Sequence, residues 1–326
     1  MSPMLQGLFT ILIGVGACVG YFYLSNLLLD RVLFPPRGAD PGRNISRANA
    51  VRPWLFLFPA MGALGLYLVY PVVGSFWRSL FNRSGEEFIG LGNYAALAGD
   101  EAFRTAVLNN LLWVLVVPAA ATFVGLVAAQ LTDRLSWGNV AKSLIFLPMA
   151  ISFVGASLIW KFVYTNDADI GLINAIRAML GAGGPVDVLQ IPFWNNFFLM
   201  VVLIWIQTGF AMVILSAALR GIPEETVEAA ILDGANPFQI FFRIKVPQIM
   251  GTIVVVWTTI TVLVLKVFDI VYTMTGGNFG TQILPSYMMS FMFRDDGRAT
   301  AVAFVIMLIV LPVMVWNIRQ VRKEMQ

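Results

Sequence analysis

Apolar residues run along this chain in seven long blocks parted by short polar stretches: residues 5–29, 54–80, 106–131, 143–163, 196–219, 248–272 and 300–318. A run of about 20 apolar residues coils into a helix long enough for a hydrocarbon layer ~30 Å thick. A helix also pairs every backbone polar group within its own segment, as any span in lipid must. The short alternating strands of a membrane barrel are missing. The pattern predicts an all-α integral membrane protein with about seven transmembrane helices. Residues 1–7 carry no positive charge, and the apolar run after them is too long for a signal-peptide core, so the first block is expected to stay as a helix.

Composition agrees. Of 326 residues, 59% are hydrophobic and 12% charged, against about a quarter charged in a soluble domain. The chain has no histidine and a single cysteine, Cys18, inside the first block. Histidine-based metal sites, Ser-His-Asp and Cys-His nucleophiles and internal disulfides are thereby excluded. A net charge of +3 is weak, and no nucleic-acid partner is expected.

The placement of charge is more telling than its sum. Residues 30–53 hold Arg31, Arg37, Arg43, Arg47 and Arg52, and the tail holds Arg319, Arg322 and Lys323. With Arg134 and Lys142 in 132–142, and Arg220, Arg243 and Lys245 in 220–247, these four stretches carry thirteen of the 21 basic residues. The alternate stretches 81–105, 164–195 and 273–299 are richer in acids. The positive-inside rule then places the N-terminus outside and the C-terminus in the cytoplasm. Within 164–195, the spacing of Ile170, Leu172, Ile173, Ile176, Met179 and Leu180 predicts a short amphipathic helix along the membrane surface, ended by Gly181–Pro185. Phe193 and Trp194 follow at headgroup level.

The stretch RGIPEETVEAAILDGANPFQIFFRIKVP (220–247) is unusually well punctuated. Pro223 suits a first helical position, and Glu224 and Glu225 suit the positive end of the helix dipole. Gly234 supplies a left-handed stop, and Asn236-Pro237 form a second cap. The expectation is a helix over 224–233, a sharp turn, and a second helix over 237–244, with Pro247 leading into the next span. Val227, Ala230, Ile231, Phe238, Phe241 and Phe242 make it too apolar to stay bare in water. Physics alone also allows an amphipathic connector lying in the interface.

Glu228-Ala229-Ala230, Asp233-Gly234-Ala235, Phe241, Ile244 and Pro247, preceded by Ile222-Pro223-Glu224-Glu225, resemble the "EAA" loop of binding-protein-dependent ABC importer permeases. Lys245-Val246 departs from that pattern, where a neutral residue and Leu are common. Gly90-Leu91-Gly92-Asn93-Tyr94, Leu108-Asn109-Asn110, Val267–Tyr272 and Thr275-Gly276-Gly277 resemble maltose-type sugar permeases, and residues 193–249 resemble the alpha-glucoside members. The resemblance implies an extra N-terminal helix and Arg-rich loop (1–53) ahead of a six-helix permease core (54–326). It implies a coupling loop that engages a separate ATPase through Glu228, Ala229, Ala230, Asp233, Gly234, Ala235, Phe241 and Pro247. No Walker A sequence occurs in this chain, so ATP and Mg would be bound by that partner, a dimer of ATP-binding subunits. A second homologous permease and an extracytoplasmic sugar-binding protein complete the implied assembly.

Polar groups within spans are costly and tend to face a cavity. Gln207, flanked by Ile206 and Phe210, falls in the segment the resemblance assigns to sugar contact; its other reading is packing between helices. Lys266 and Asp269 stand three apart on an expected helical face and would either pair with each other or bind a sugar hydroxyl. Thr259 is a weaker substrate candidate, and Thr261 another. Trp113, Trp160 and Trp257 are expected to be packing or interface residues. Lys266 and Asp269 would also serve an ion-coupled secondary transporter, and Gly155-Ala156-Ser157 has the look of a serine site in a membrane enzyme.

Overall fold

The computed structural model describes residues 3–36 and 41–324. Those residues are helical throughout, apart from loops and one isolated antiparallel bridge between Phe81 and Phe88. Arg37 and Asp40 of the Arg-rich stretch lie outside the described residues, as do the side chains of Arg322 and Lys323. Among the described residues, five helices are long and apolar enough to cross a membrane, and two sharply bent helix pairs bring the number to as many as seven when each pair counts as one span.

The chain divides into two compact units, residues 1–74 and 75–326. In the first, α1 (Pro3–Leu28) ends in a wider turn over Leu29–Leu33, and α2 (Pro41–Leu64) runs on through a similar turn, Gly65–Val69. Residues 41–53 are thus not loop but helix, and α2 carries Arg43, Arg47 and Arg52 before it turns apolar. It passes through both Pro53 and Pro59; lipid leaves no water for freed backbone groups, so breaking the helix would cost more than the lost bonds. Tyr21 donates its hydroxyl to the Leu55 carbonyl (2.9 Å), Phe22 stacks on Phe56, and Arg52 grips both Asp30 oxygens at 2.7 and 3.0 Å.

The second unit begins within α3 (Tyr70–Arg78) and continues with α4 (Gly92–Gly99) and α5 (Glu101–Thr132). A broken span follows, α6 (Gly138–Phe146) and α7 (Phe153–Val163), bent by 105°. The block over 143–163 is therefore not the single helix its hydropathy suggests. Pro148 offers no N–H, Ile151 and Ser152 are extended, and the Ser152 hydroxyl restarts the helix by accepting from Gly155 N–H at 3.1 Å. The amphipathic helix α8 (Leu172–Met179) forms as expected, with Gly181 beyond it at φ +68.

At the centre stands α9 (Trp194–Arg220), 61% buried over its most apolar window against 39% for α5. The two run parallel in a fixed register: Trp113 Nε1 donates to Asn196 Oδ1 (3.4 Å) near one end, and Gly125 lies against Ala211 further along. Gly209 likewise lets α9 approach the backbone of α6, since a side-chain carbon there would stand 2.7 Å from the Ile145 carbonyl oxygen. Lipid gives no hydrophobic drive between helices, so such close backbone packing holds them.

The polar loops of this unit separate to its two ends. At one end buried asparagines clamp loop carbonyls: Asn109 Nδ2 donates to Gly280 and Gln282 (2.7 Å each), and Asn195 Nδ2 to Phe279 (2.7 Å). There too Asn110 accepts from Leu284 N–H at 2.6 Å, and Asn93 holds Ser79 and Phe81 at 2.8 and 2.7 Å. Phe81, Asn93, Asn195 and the clamped residues 279–284 belong to the acid-rich stretches. The opposite end gathers residues 132–142 and 220–249, the basic stretches.

Candidate functional site

The basic end carries a helical hairpin. Pro223 is the cap rather than the first residue of α10 (Glu224–Leu232), its ψ of 133 keeping it extended. Beyond α10, Asp233 leads to Gly234 at φ +80. Ala235 N–H reaches back to the Ala230 carbonyl (2.9 Å) and Gly234 N–H to Ile231 (3.0 Å), the paired bonds of a Schellman stop. Asn236 then forms a complete capping box with Gln239, both bonds 2.9 Å, and opens α11 (Pro237–Gln239). The second arm does not end at Ile244. It widens into a π turn over Ile240–Lys245 and continues as α12 (Val246–Gln248), turning 71° at Ile249 into α13 (Met250–Val264). Pro247 therefore sits within the arm, two residues before the bend.

The hairpin is two-faced. Ala230 and Ile240 are buried, and Phe241 packs on the main core. Facing out are Glu228, Ala229, Asp233 and Gly234, with Leu232 at 89% and Phe238 at 73% exposure. Ala230 thus faces the protein's own body, whereas Ala229 is free to meet another surface. Behind the hairpin lies a cavity of about 450 Å³ lined by Gln130, Asp133, Arg134, Arg220, Glu224 and Glu228 among others.

Sequence reasoning missed the root of this hairpin. Asp133, capping α5, accepts from Lys142 of α6 and from Ser216 of α9 (3.0 and 3.2 Å), and Arg220 Nε stands 3.7 Å away. Asp133 and Ser216 are 83 residues apart in sequence, beyond any local pattern.

The intramembrane candidates do not gather. Gln207 is 5% exposed on α9 and its amide has no hydrogen-bond partner among the described residues. Ile206 is 1% exposed and belongs to the core, and Phe210 is half-buried beside it. On α5, the Thr122 hydroxyl is itself buried and unpartnered. It precedes Gly125 by one turn, as Gln207 precedes Ala211, so the parallel register sets both at one level. Thr259 is exposed on α13 and Thr261 buried, each bonding back to its own helix.

Lys266 and Asp269 do not share a helix face. The helix stops at Val264, residues 265–268 are irregular, and α14 (Asp269–Met274) restarts beyond them. Asp269 opens that new helix, where its charge suits the dipole, and the two make no ion pair among the described residues. Ser157 is fully buried and donates to Phe153 O at 2.7 Å, a packing role. Trp113 is fully buried as well, and Trp160 packs edge-on against Trp205.

The acid-rich end completes the unit with α15 (Leu284–Phe291) and α16 (Asp296–Glu324). Tyr287 donates to Asp100 at 2.7 Å, which holds the Asp100 carboxyl below the usual carboxylate range, while burial pushes the Tyr287 phenol up. Three non-glycine residues there, Phe193, Phe279 and Phe293, are held at positive φ (66, 58 and 68), and all are exposed.

A permease whose loop stands out as a handle at one end is the class this fold defines. Residues 121–323 match the binding-protein-dependent transport system inner membrane component family, and the chain belongs to it. It is 59% identical to an alpha-glucoside transport system permease protein of Rhizobium meliloti, over 99% of each chain. An osmoprotective compounds uptake permease protein of Synechocystis is 46% identical, over 83% of this chain and 99% of its own. The fold matches a crystal structure of a bacterial ABC transporter involved in alginate import, with a TM-score of 0.72 at 21% identity, covering 86% of this chain and 98% of that one.

Proposed function

We propose that this permease forms half of the translocation path of an ATP-driven importer for an alpha-glucoside, and that the 220–249 hairpin is its coupling element. The observation that carries this is the hairpin's outward face. Leu232 and Phe238 are the apolar tips of a structure locked by a Schellman stop and a capping box. Exposed apolar residues on a preorganised frame mark a docking surface. The partner is a dimer of ATP-binding subunits carrying ATP and Mg, engaged also by Glu228, Ala229, Asp233 and Gly234. Alpha-glucoside specificity rests on the Rhizobium relative.

In this reading the basic loops lie in the cytoplasm with the C-terminus, and the N-terminus lies outside. The acid-rich end then faces the binding protein. Its exposed, strained phenylalanines support that role, since strain of this kind concentrates at functional surfaces. A second, homologous permease covers the exposed face of the spans, and the sugar passes between the two, with Gln207, Phe210, Thr259, Lys266 and Asp269 as this chain's candidate contacts.

Vesicles containing the full transporter test the reading. Gly234→Asp and Glu228→Lys are expected to abolish sugar uptake and its stimulation of ATP hydrolysis while insertion stays normal. Uptake and stimulation at wild-type levels in both variants would remove the coupling role.

A further inference from the structure

We propose that Asp133 is a positioning residue for transport: its carboxylate joins α5, α6 and α9 at the root of the coupling hairpin, and through this joint hairpin motion reaches the spans. The inference rests on the hairpin being the ATPase dock.

The geometry is closed. Ser216 is fully buried, and its hydroxyl has one proton and two lone pairs to use. Lys142 Nζ donates to it at 2.6 Å and Arg220 Nη2 at 3.2 Å, and both are cations with nothing to accept a bond. Its own proton therefore goes to Asp133, at 3.0 Å. Lys142 completes the ring by donating to the same carboxylate. One hydroxyl and one carboxylate thus connect the last turn of α9, the end of α5 and the body of α6.

The location is electrostatically unexpected. An anion capping the C-terminus of α5 faces the negative end of that helix's dipole. Two cations from other helices offset this, so the carboxylate serves the contact between helices and not its own.

The site is also mechanically placed. Arg220 is the last residue of α9, and Gly221, Ile222 and Pro223 alone separate it from α10. On this side α10 rests on no packed surface, because the cavity opens behind Glu224 and Glu228. A push on the hairpin is therefore received at its root, where the joint holds three helices together. With the joint cut, the hairpin would swing against the cavity and α9 would no longer follow.

The test measures ATP hydrolysed per sugar imported, in vesicles holding the complete transporter and the binding protein. Asp133→Asn is expected to raise that ratio several-fold in complexes of unchanged subunit composition, and Asp133→Glu to restore most of it. The exchange Asp133→Lys with Lys142→Asp is expected to recover part of the coupling that either single change loses. If Asp133→Asn does not assemble, Ser216→Ala removes the hub but leaves both charges, and the same rise is expected there. An unchanged ratio in the assembled variants, whether the two rates stay constant or fall together, overturns the proposal. Failure of the wild-type hairpin to engage the ATPase, seen as no cross-link between Phe238→Cys and that subunit, would instead overturn the underlying reading.

Discussion

Gly125 of α5 and Ala211 of α9 lie so close that a side-chain carbon added to Gly125 would stand 2.5 Å from the Ala211 methyl and 2.9 Å from Met212 N. No rotamer relieves a clash with backbone. Gly125→Leu is expected to part the two central helices at a cost of about 1–3 kcal/mol, read as a lower unfolding temperature in detergent. Leu108→Ala, at a position 65% exposed on the same helix, is expected to leave that temperature within the error of the measurement.

The Gly234 turn predicts an order of variants. At φ +80 the left-handed conformation costs an L-residue about 1–2 kcal/mol, least for Asn and most for a β-branched side chain. Nothing in this chain lies within 4 Å of the position a side chain would take, so within the permease the backbone penalty acts alone. Uptake is expected to fall in the order Gly234→Asn, Gly234→Ala, Gly234→Val at equal membrane levels. An order following side-chain volume without regard to Asn would contradict this.

Substitution of Asn236 probes the same hairpin independently of any partner. Removing an N-cap costs about 1 kcal/mol: Asn236→Ala loses the acceptor for Gln239 N–H and leaves only the backbone half of the capping box, from residue 236 N–H to Gln239 Oε1. Faster hydrogen exchange over 236–240, with unchanged protection in α9, is the expected result.

The Tyr287–Asp100 bond gives a pH dependence with a definite sign. Because the Asp100 pKa is lowered from 3.8 in the folded protein, its stabilisation is complete above that value and disappears as pH falls through the folded pKa. Tyr287→Phe is expected to cost about 1 kcal/mol at pH 7, and the gap between variant and wild type to close as the pH is taken below about 4. A gap that persists at low pH would mean the phenol acts through packing alone.

Lys266 and Gln207 separate packing from passage. Lys266 is exposed and unpaired among the described residues, so Lys266→Met is expected to shift stability by no more than about 0.5 kcal/mol. Gln207→Leu removes an amide that has no partner among the described residues and is expected to be neutral or stabilising. If either changes the KM for sugar without moving the unfolding temperature, that side chain meets the substrate.

Much of this architecture was legible in the sequence, for identifiable reasons. The seven apolar blocks reappear as five helices long enough to span and two bent pairs, because hydrophobic length is a cumulative property that no single residue upsets. The hairpin was legible because Gly234, Asn236 and Pro237 act on their immediate neighbours. The breaks at 151–152 and 265–268 were not, since apolar content continues through a bend and only backbone partners reveal it. For the same reason Lys266 and Asp269 looked paired: spacing assumes the helix persists between them. Asp133 and Ser216 were invisible because the contact between them is made by the packing of α5 on α9.

Leu232 and Phe238 place a further constraint on the cell. At 89% and 73% exposure, they would, on the proposed reading, keep apolar surface in reserve for a different gene product. A copy made in excess of that product would then carry an uncovered adhesive knob, open to self-association and to proteases. On that reading, balanced synthesis of the subunits is a requirement built into two side chains, separate from anything the transporter carries.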